Sequence, residues 1–173
     1  MCVACHGETG QSENPDIPNI GGQPKLFVMY QLFFYREGRR KSPEMNTVAR
    51  DITDADLTAL ADYVSGLPPP KPADGGADID QPRYLRGADI VRQRRCAVCH
   101  NPDFSGREQM PRIAGQREKY LLKSFKEYQA GQRIGTQAAM AEAVRGLDDT
   151  QLADLAYHLT RFRPQHPLSG SPP

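Results

Sequence analysis

Cys2, Cys5 and His6 stand in the spacing C-x-x-C-H, and Cys96, Cys99 and His100 repeat it. Together they use all four cysteines and two of the four histidines of a chain of 173 residues. Thiols at i and i+3 lie on one side of a helical turn, so both can add to the vinyl groups of one porphyrin while the next residue, histidine, reaches its iron. Three other chemistries use paired cysteines. Disulfides closed over such short loops would constrain little of the unfolded chain. The two pairs together could supply four thiolates to zinc. A thioredoxin-type pair stands singly in a βαβ setting, which nothing here resembles. None of the three explains a histidine directly after each pair, whereas covalent haem attachment does. Two covalently attached haem c groups are therefore expected, bound through Cys2, Cys5, Cys96 and Cys99, with His6 and His100 on the irons.

The opposite axial ligand must come from elsewhere, and its identity decides the chemistry of each iron. An internal repeat narrows the choice. PNIGGQ (Pro18 to Gln23) follows the first motif and PRIAGQ (Pro111 to Gln116) the second, at a shift of 93 residues. KLFVMYQLFFYRE and EKYLLKSFKEYQA come next, both with helical apolar spacing, and then ITDADLTALADYV and LDDTQLADLAYHL at a shift of 95. Thr53 or Asp54, and Asp148 or Asp149, are the expected N-caps of the closing helices. Of the five methionines, Met1 is terminal, while Met29 and Met110 match Leu122 and Ile17 at packing positions. Met45 and Met140 match each other, 39 and 40 residues beyond His6 and His100. They are the expected iron ligands, each in a loop between two helices. His158, whose repeat partner is Tyr63, and His166, in the tail, read as ordinary surface residues.

Pro18 and Pro111 each precede the stretch that must cross the histidine side of the ring. Their carbonyls are candidates to accept the ring N–H of the ligating histidine and fix its tautomer. Arg40 and Arg133, matched after Gly38 and Gly131, are candidates to hold haem propionates.

The elements that position these groups are helical throughout, with no convincing period-2 alternation, so the fold class is all-α. Residues 1–66 and 83–163 read as two tandem domains, 67–82 as a Pro/Gly-rich linker, and 164–173 as a disordered tail. Apolar residues are 38% of the chain, which leaves each domain a thin core that a fixed haem would complete. No apolar run is long enough for a membrane span, and a net charge of +1 argues against a basic nucleic-acid binder. Residues 1–70 carry 6 basic and 9 acidic side chains and residues 71–173 carry 16 and 12, so the second half is relatively positive and suited to an acidic partner surface.

CVACH…PNIGGQ…QLFFYREGRR…M…LADY and CAVCH…PRIAGQ…YLLKSF…GQR…M…LAYH resemble the tandem halves of the cytochrome c4 family. The resemblance covers nearly the whole chain. It implies two class I cytochrome c domains related by a pseudo-twofold, with haems close enough to exchange electrons. It also implies shuttling from a quinol-oxidising complex toward a terminal oxidase or another acceptor. An electron-acceptor subunit of a dehydrogenase is the alternative, and a di-haem peroxidase, which needs an open iron, a weaker one. Thioether attachment places the chain in the periplasm. The first domain lacks a counterpart of RYLRGADIVRQRRC, so a helix and a signal peptide are expected upstream of Met1. That helix is expected to cover the extra apolar face made by Met29, Tyr30, Phe33 and Phe34, whose counterparts are Leu122, Lys123, Lys126 and Glu127.

Overall fold

The computed structural model describes residues 2–73, 79–133 and 138–164. Among these residues there are nine helices and no strand. They are α1 (Val3–His6), α2 (Lys25–Arg36), α3 (Pro43–Ala49), α4 (Asp54–Gly66), α5 (Gln81–Gln93), α6 (Ala97–His100), α7 (Glu118–Gln129), α8 (Ala138–Val144) and α9 (Asp149–Arg161). The repeat pairs α1 with α6, α2 with α7, α3 with α8 and α4 with α9. Among the described residues α5 alone has no counterpart. His166 and all of the tail beyond Pro164 lie outside the described residues.

The closing helices start where short polar side chains meet the orphan amides of a first turn. Thr53 and Asp148 are the N-caps, each in a reciprocal capping box with Asp56 and Gln151. α5 begins at Gln81, two residues before the expected boundary. Asp80 caps it by accepting from the Arg83 amide, and Pro82 sits in the first turn. A proline there removes no hydrogen bond, which is why a residue that looked like a linker breaker opens a helix.

The linker is laid over both glycine-containing loops. Gly22 and Gly115 have positive φ values of 63° and 70°, and their amides donate to the carbonyls of Val64 and Leu159 near the ends of the closing helices. A Cβ at Gly115 would stand 2.9 Å from the Pro70 carbonyl oxygen, so the linker can approach only a glycine there.

The two cores are unequal. In the second domain Ile90 and Val91 of α5 join Leu121, Phe125, Leu152 and Leu159 in one buried cluster. In the first, Val28, Ala61 and Val64 form the cluster, with Ile20, Met29 and Leu32 half-buried against it. α5 supplies the difference by crossing α9 at Gly87, where an added Cβ would lie 2.3 Å from the Asp154 carbonyl oxygen. The seam is stitched by the Asp154 carboxylate, only 5% exposed, which accepts from Arg86 Nε at 2.6 Å and Arg83 Nε at 3.3 Å.

Two expectations change here. His158 is not a surface residue. It is buried under α5, its ring tilted against that of Tyr84 with centroids 4.4 Å apart, and its Nδ1 donates to the Tyr84 carbonyl at 3.2 Å. The face of Met29, Tyr30, Phe33 and Phe34 is not where a helix like α5 would dock, because α5 packs on α9 and the equivalent surface is α4. There Tyr63, the partner of His158, is 59% exposed. The α2 face is already partly closed. Phe34 is buried beside Tyr30 and Phe33, the guanidiniums of Arg36 and Arg39 lie over Phe33 and Phe34, and Met29 is half-buried against the core.

Gly87→Ala is expected to force α5 off α9 and cost about 1–3 kcal/mol, lowering the Tm of the second domain by roughly 5–15 °C. Gly66→Ala, with nothing within 4 Å of the new methyl, should leave it unchanged in calorimetry. Burial lowers the His158 pKa from 6.5 to about 4, with the hydrogen bond to the Tyr84 carbonyl opposing the shift. The folded state thus resists a proton that the unfolded state accepts. Stability is full above pH 6.5 and is lost as pH falls toward 4, by on the order of 3 kcal/mol. Denaturant titrations of His158→Gln across that range should show a flatter profile than the parent.

Candidate haem-binding site

Each C-x-x-C-H motif forms a single helical turn. The amides of Cys5 and His6 donate to the Cys2 carbonyl at 3.2 and 2.9 Å, and those of Cys99 and His100 to the Cys96 carbonyl at 3.3 and 3.0 Å. The turns stop at Gly7 (φ 75°) and Asn101 (φ 68°), so the chain leaves each histidine by the same left-handed step. No disulfide joins the four cysteines; Cys2, Cys5 and Cys99 are exposed and Cys96 is half-buried. Among the described residues no group of three or more His, Cys, Asp or Glu side chains could hold a metal ion, so the two cysteine pairs do not converge as a zinc site.

Both histidines are buried and held by one ring nitrogen. Nδ1 of His6 donates to the Pro18 carbonyl at 3.0 Å and Nδ1 of His100 to the Pro111 carbonyl at 2.8 Å. A carbonyl can only accept, so the proton is on Nδ1 and the lone pair is on Nε2. Burial lowers the His100 pKa, against the opposing hydrogen bond, and favours the neutral ring that a metal ligand must be.

The prolines are held in turn by the other domain. Gln116 Oε1 accepts from the Asn19 amide at 2.7 Å, and its Nε2 donates to the Asn19 carbonyl at 2.8 Å. Gln23 does the same to Arg112, accepting from its amide at 3.0 Å and donating to its carbonyl at 2.9 Å. Asn19 and Arg112 directly follow Pro18 and Pro111. Reciprocal contact between repeat-equivalent residues is what a twofold relation produces. Both glutamines end the repeated hexapeptides. Their pairing was the available signal, but nothing local says that such a side chain reaches the other domain.

Met45 and Met140 are half-buried, and neither lies in a loop. Met45 is in the first turn of α3, its amide donating to the Ser42 hydroxyl at 3.4 Å, and Met140 is in α8, against the second core. Seven-residue helices are too short to announce themselves by periodicity.

Arg40 and Arg133 occupy equivalent niches and are brought together across the interface. Arg40 bonds Gln31, stacks 4.7 Å from the Tyr35 ring centroid, and donates to the Tyr120 hydroxyl at 2.7 Å. Arg133 bonds Ser124 and Glu127, both at 2.8 Å, and stacks 4.8 Å from Tyr128. Burial would raise the Tyr120 pKa, but the two guanidiniums bring it down to about 7. The Nε groups of Arg112 and Arg117 are buried without a partner. This surplus of buried cationic donors suits the carboxylates of a haem, as the thiol pairs and free Nε2 atoms suit its vinyl groups and iron.

A model of the cytochrome c family matches residues 1–68 and 84–161, one copy on each repeat. The chain belongs to the cytochrome c family. Cytochrome c-552 of Acidithiobacillus ferridurans is 30% identical over 168 residues, covering 92% of this chain and 72% of that protein. A thiosulfate dehydrogenase electron acceptor of Thiomonas intermedia is 31% identical over 151 residues, covering 83% and 69%. The solved cytochrome c4 of Acidithiobacillus ferrooxidans superposes with a TM-score of 0.80 at 29% identity, covering 93% of this chain and 98% of that one. The chain is therefore a di-haem electron-transfer cytochrome of the cytochrome c4 type, with two cytochrome c domains and two covalently attached haem c groups.

Cys99→Ser should leave one haem of this cytochrome attached by a single thioether. One vinyl group then stays conjugated, and the α band of that haem should move to longer wavelength in an alkaline pyridine spectrum while the other haem is unchanged.

Proposed function

We propose that this cytochrome is a periplasmic carrier of single electrons between respiratory partners and not an enzyme. In this reading Cys2 and Cys5 hold one haem with His6 and Met45 on its iron, and Cys96 and Cys99 hold the other with His100 and Met140. The observation that carries it is the matched pair of hydrogen bonds from His6 to Pro18 and from His100 to Pro111. They leave two equivalent Nε2 donors, one behind each thiol pair. A bound haem supplies a one-electron iron couple, and the protein supplies its ligands, burial and field. Thioether sulfur is a soft ligand that favours the ferrous state and raises the reduction potential. With histidine and methionine both engaged, no position is open to peroxide or oxygen.

Arg40 and Arg133 are assigned to the propionates. The Arg133 side chain is only 7% exposed and pairs with Glu127, while Arg40 donates to Gln31 and to the Tyr120 hydroxyl and has no carboxylate among its hydrogen-bond partners in the described residues. An anionic group beside them would relieve their mutual repulsion.

Donor and acceptor follow from the family: a quinol-oxidising complex on one side, a terminal oxidase or another acceptor on the other. The second reading is the electron-acceptor subunit of a dehydrogenase, favoured by the 31% identity to the thiosulfate dehydrogenase electron acceptor. Purification as a stable complex with a dehydrogenase would select it over a free shuttle. No helix among the described residues is long and apolar enough to cross a membrane.

Met45→His and Met140→His should each remove half of the methionine-to-ferric-iron charge-transfer absorption. Each should also lower the potential of one haem by on the order of a hundred millivolts. A redox titration that resolves the two haems checks this, and a variant that keeps the full band removes that methionine from the ligand set.

A further inference from the structure

The clasp between the domains does more than join them. The amide that donates to Gln116 and the carbonyl that accepts from His6 belong to one peptide group, Pro18–Asn19. On the other side, the amide that donates to Gln23 and the carbonyl that accepts from His100 belong to the peptide Pro111–Arg112. Each forms an unbroken line of groups: ring N–H, carbonyl, amide N–H, glutamine oxygen. A peptide whose N–H is engaged becomes a stronger acceptor at its oxygen, because the two polarise one another. A stronger acceptor at Nδ1–H gives the imidazole more anionic character and makes Nε2 the better donor.

We propose that Gln23 and Gln116 are positioning residues wired across the interface, each polarising the peptide that holds the other domain's haem-ligating histidine. Gln116, in the second domain, therefore acts on the haem of His6. Gln23, in the first domain, acts on the haem of His100. The glutamines and Asn19 are buried, and the bonds to Pro18, Pro111 and Arg112 are part-buried. Asn19, Gln23 and Gln116 are 2%, 3% and 4% exposed. In such surroundings a hydrogen bond is electrostatically stronger than in water.

The two arms are not equal. Gln116 Oε1 also accepts from the Arg117 amide at 2.9 Å and so divides its pull. Its bond to Asn19 is nevertheless the shorter, 2.7 Å against 3.0 Å for Gln23 to Arg112. Asn19 is further fixed by its own side chain, which accepts from the Ser12 amide and donates to the Gly115 carbonyl, both at 2.9 Å. Ser12 donates in turn to the carbonyl of Cys5, inside the haem motif. Arg112 is clasped through its backbone by Gln23 alone.

The inference rests on two haems held by His6 and His100, and the experiment separates the two ideas. The holoprotein's haem content and axial-ligand spectrum test that foundation in the parent chain. The wiring is tested in Gln116→Met and Gln23→Met, which keep the side chain's length and remove its acceptor, with redox titrations of both haems. The haems are told apart by the Met45→His and Met140→His backgrounds.

Gln116→Met should raise the potential of the His6 haem, by a few-fold in its reduced-to-oxidised ratio at fixed poise, and leave the His100 haem in place. Gln23→Met should do the reverse. Exchange of the histidine Nδ1–H, followed by its hyperfine-shifted proton resonance, should quicken at the same haem that moves. Gln116→Glu and Gln23→Glu, which retain an oxygen for the amide, should not raise the opposite potential and so report even where a methionine loosens the interface. Potentials that stay put in both methionine variants, or that move at the variant's own haem or equally at both, would overturn the proposal.

Discussion

The hydrogen bond from a histidine Nδ1 to a proline carbonyl decides which ring nitrogen is left for iron, and much of this molecule serves to hold that carbonyl still. Each four-residue turn ends in a left-handed step that carries the chain away from its histidine. The hexapeptides PNIGGQ and PRIAGQ then bring it back under the ring. Their glycines allow the backbone to lie against the ends of α4 and α9 and beneath the linker, where any Cβ would collide. Packing, turn chemistry and interface are thus arranged around two oxygen atoms, those of Pro18 and Pro111.

The asymmetry between the repeats is an asymmetry of support. The second domain has α5, whose Gly87 lets it press onto α9 and whose apolar side extends the buried cluster. Among the described residues the first domain has a smaller buried cluster, made by Val28, Ala61 and Val64. Small domains with little apolar area to bury commonly depend on a cofactor.

Much of this was legible from residue types and spacing. The helical class and the two thiol–thiol–imidazole turns follow from patterns within a few residues of one another, and the internal repeat from matching such patterns at a shift of 93 to 95 residues. What was not legible depends on other parts of the chain. His158 looked exposed because its repeat partner, Tyr63, has no α5 over it. Met45 and Met140 looked like loop residues because their helices span only two turns. Pro82 looked like a linker residue because a proline in a first turn and a proline in a linker read alike. The roles of Gln23 and Gln116 were invisible for a different reason. A side chain that satisfies the backbone of another domain leaves no periodicity, spacing or charge signature in its own segment.

The clasp contains no ionisable group. Its four bonds join side-chain amides to backbone amides and carbonyls, those of Gln116 buried and those of Gln23 part-buried. Mobile ions screen exposed charges, and protons titrate acids and bases, but neither acts directly on a buried amide pair. A two-centre carrier has two clocks: one for meeting its partners, which salt and pH can reset, and one for passing charge between its own halves. The glutamine clasp thus gives the second clock a neutral component that salt and pH do not set directly, beside the charged Arg40–Tyr120 contact that also crosses the interface.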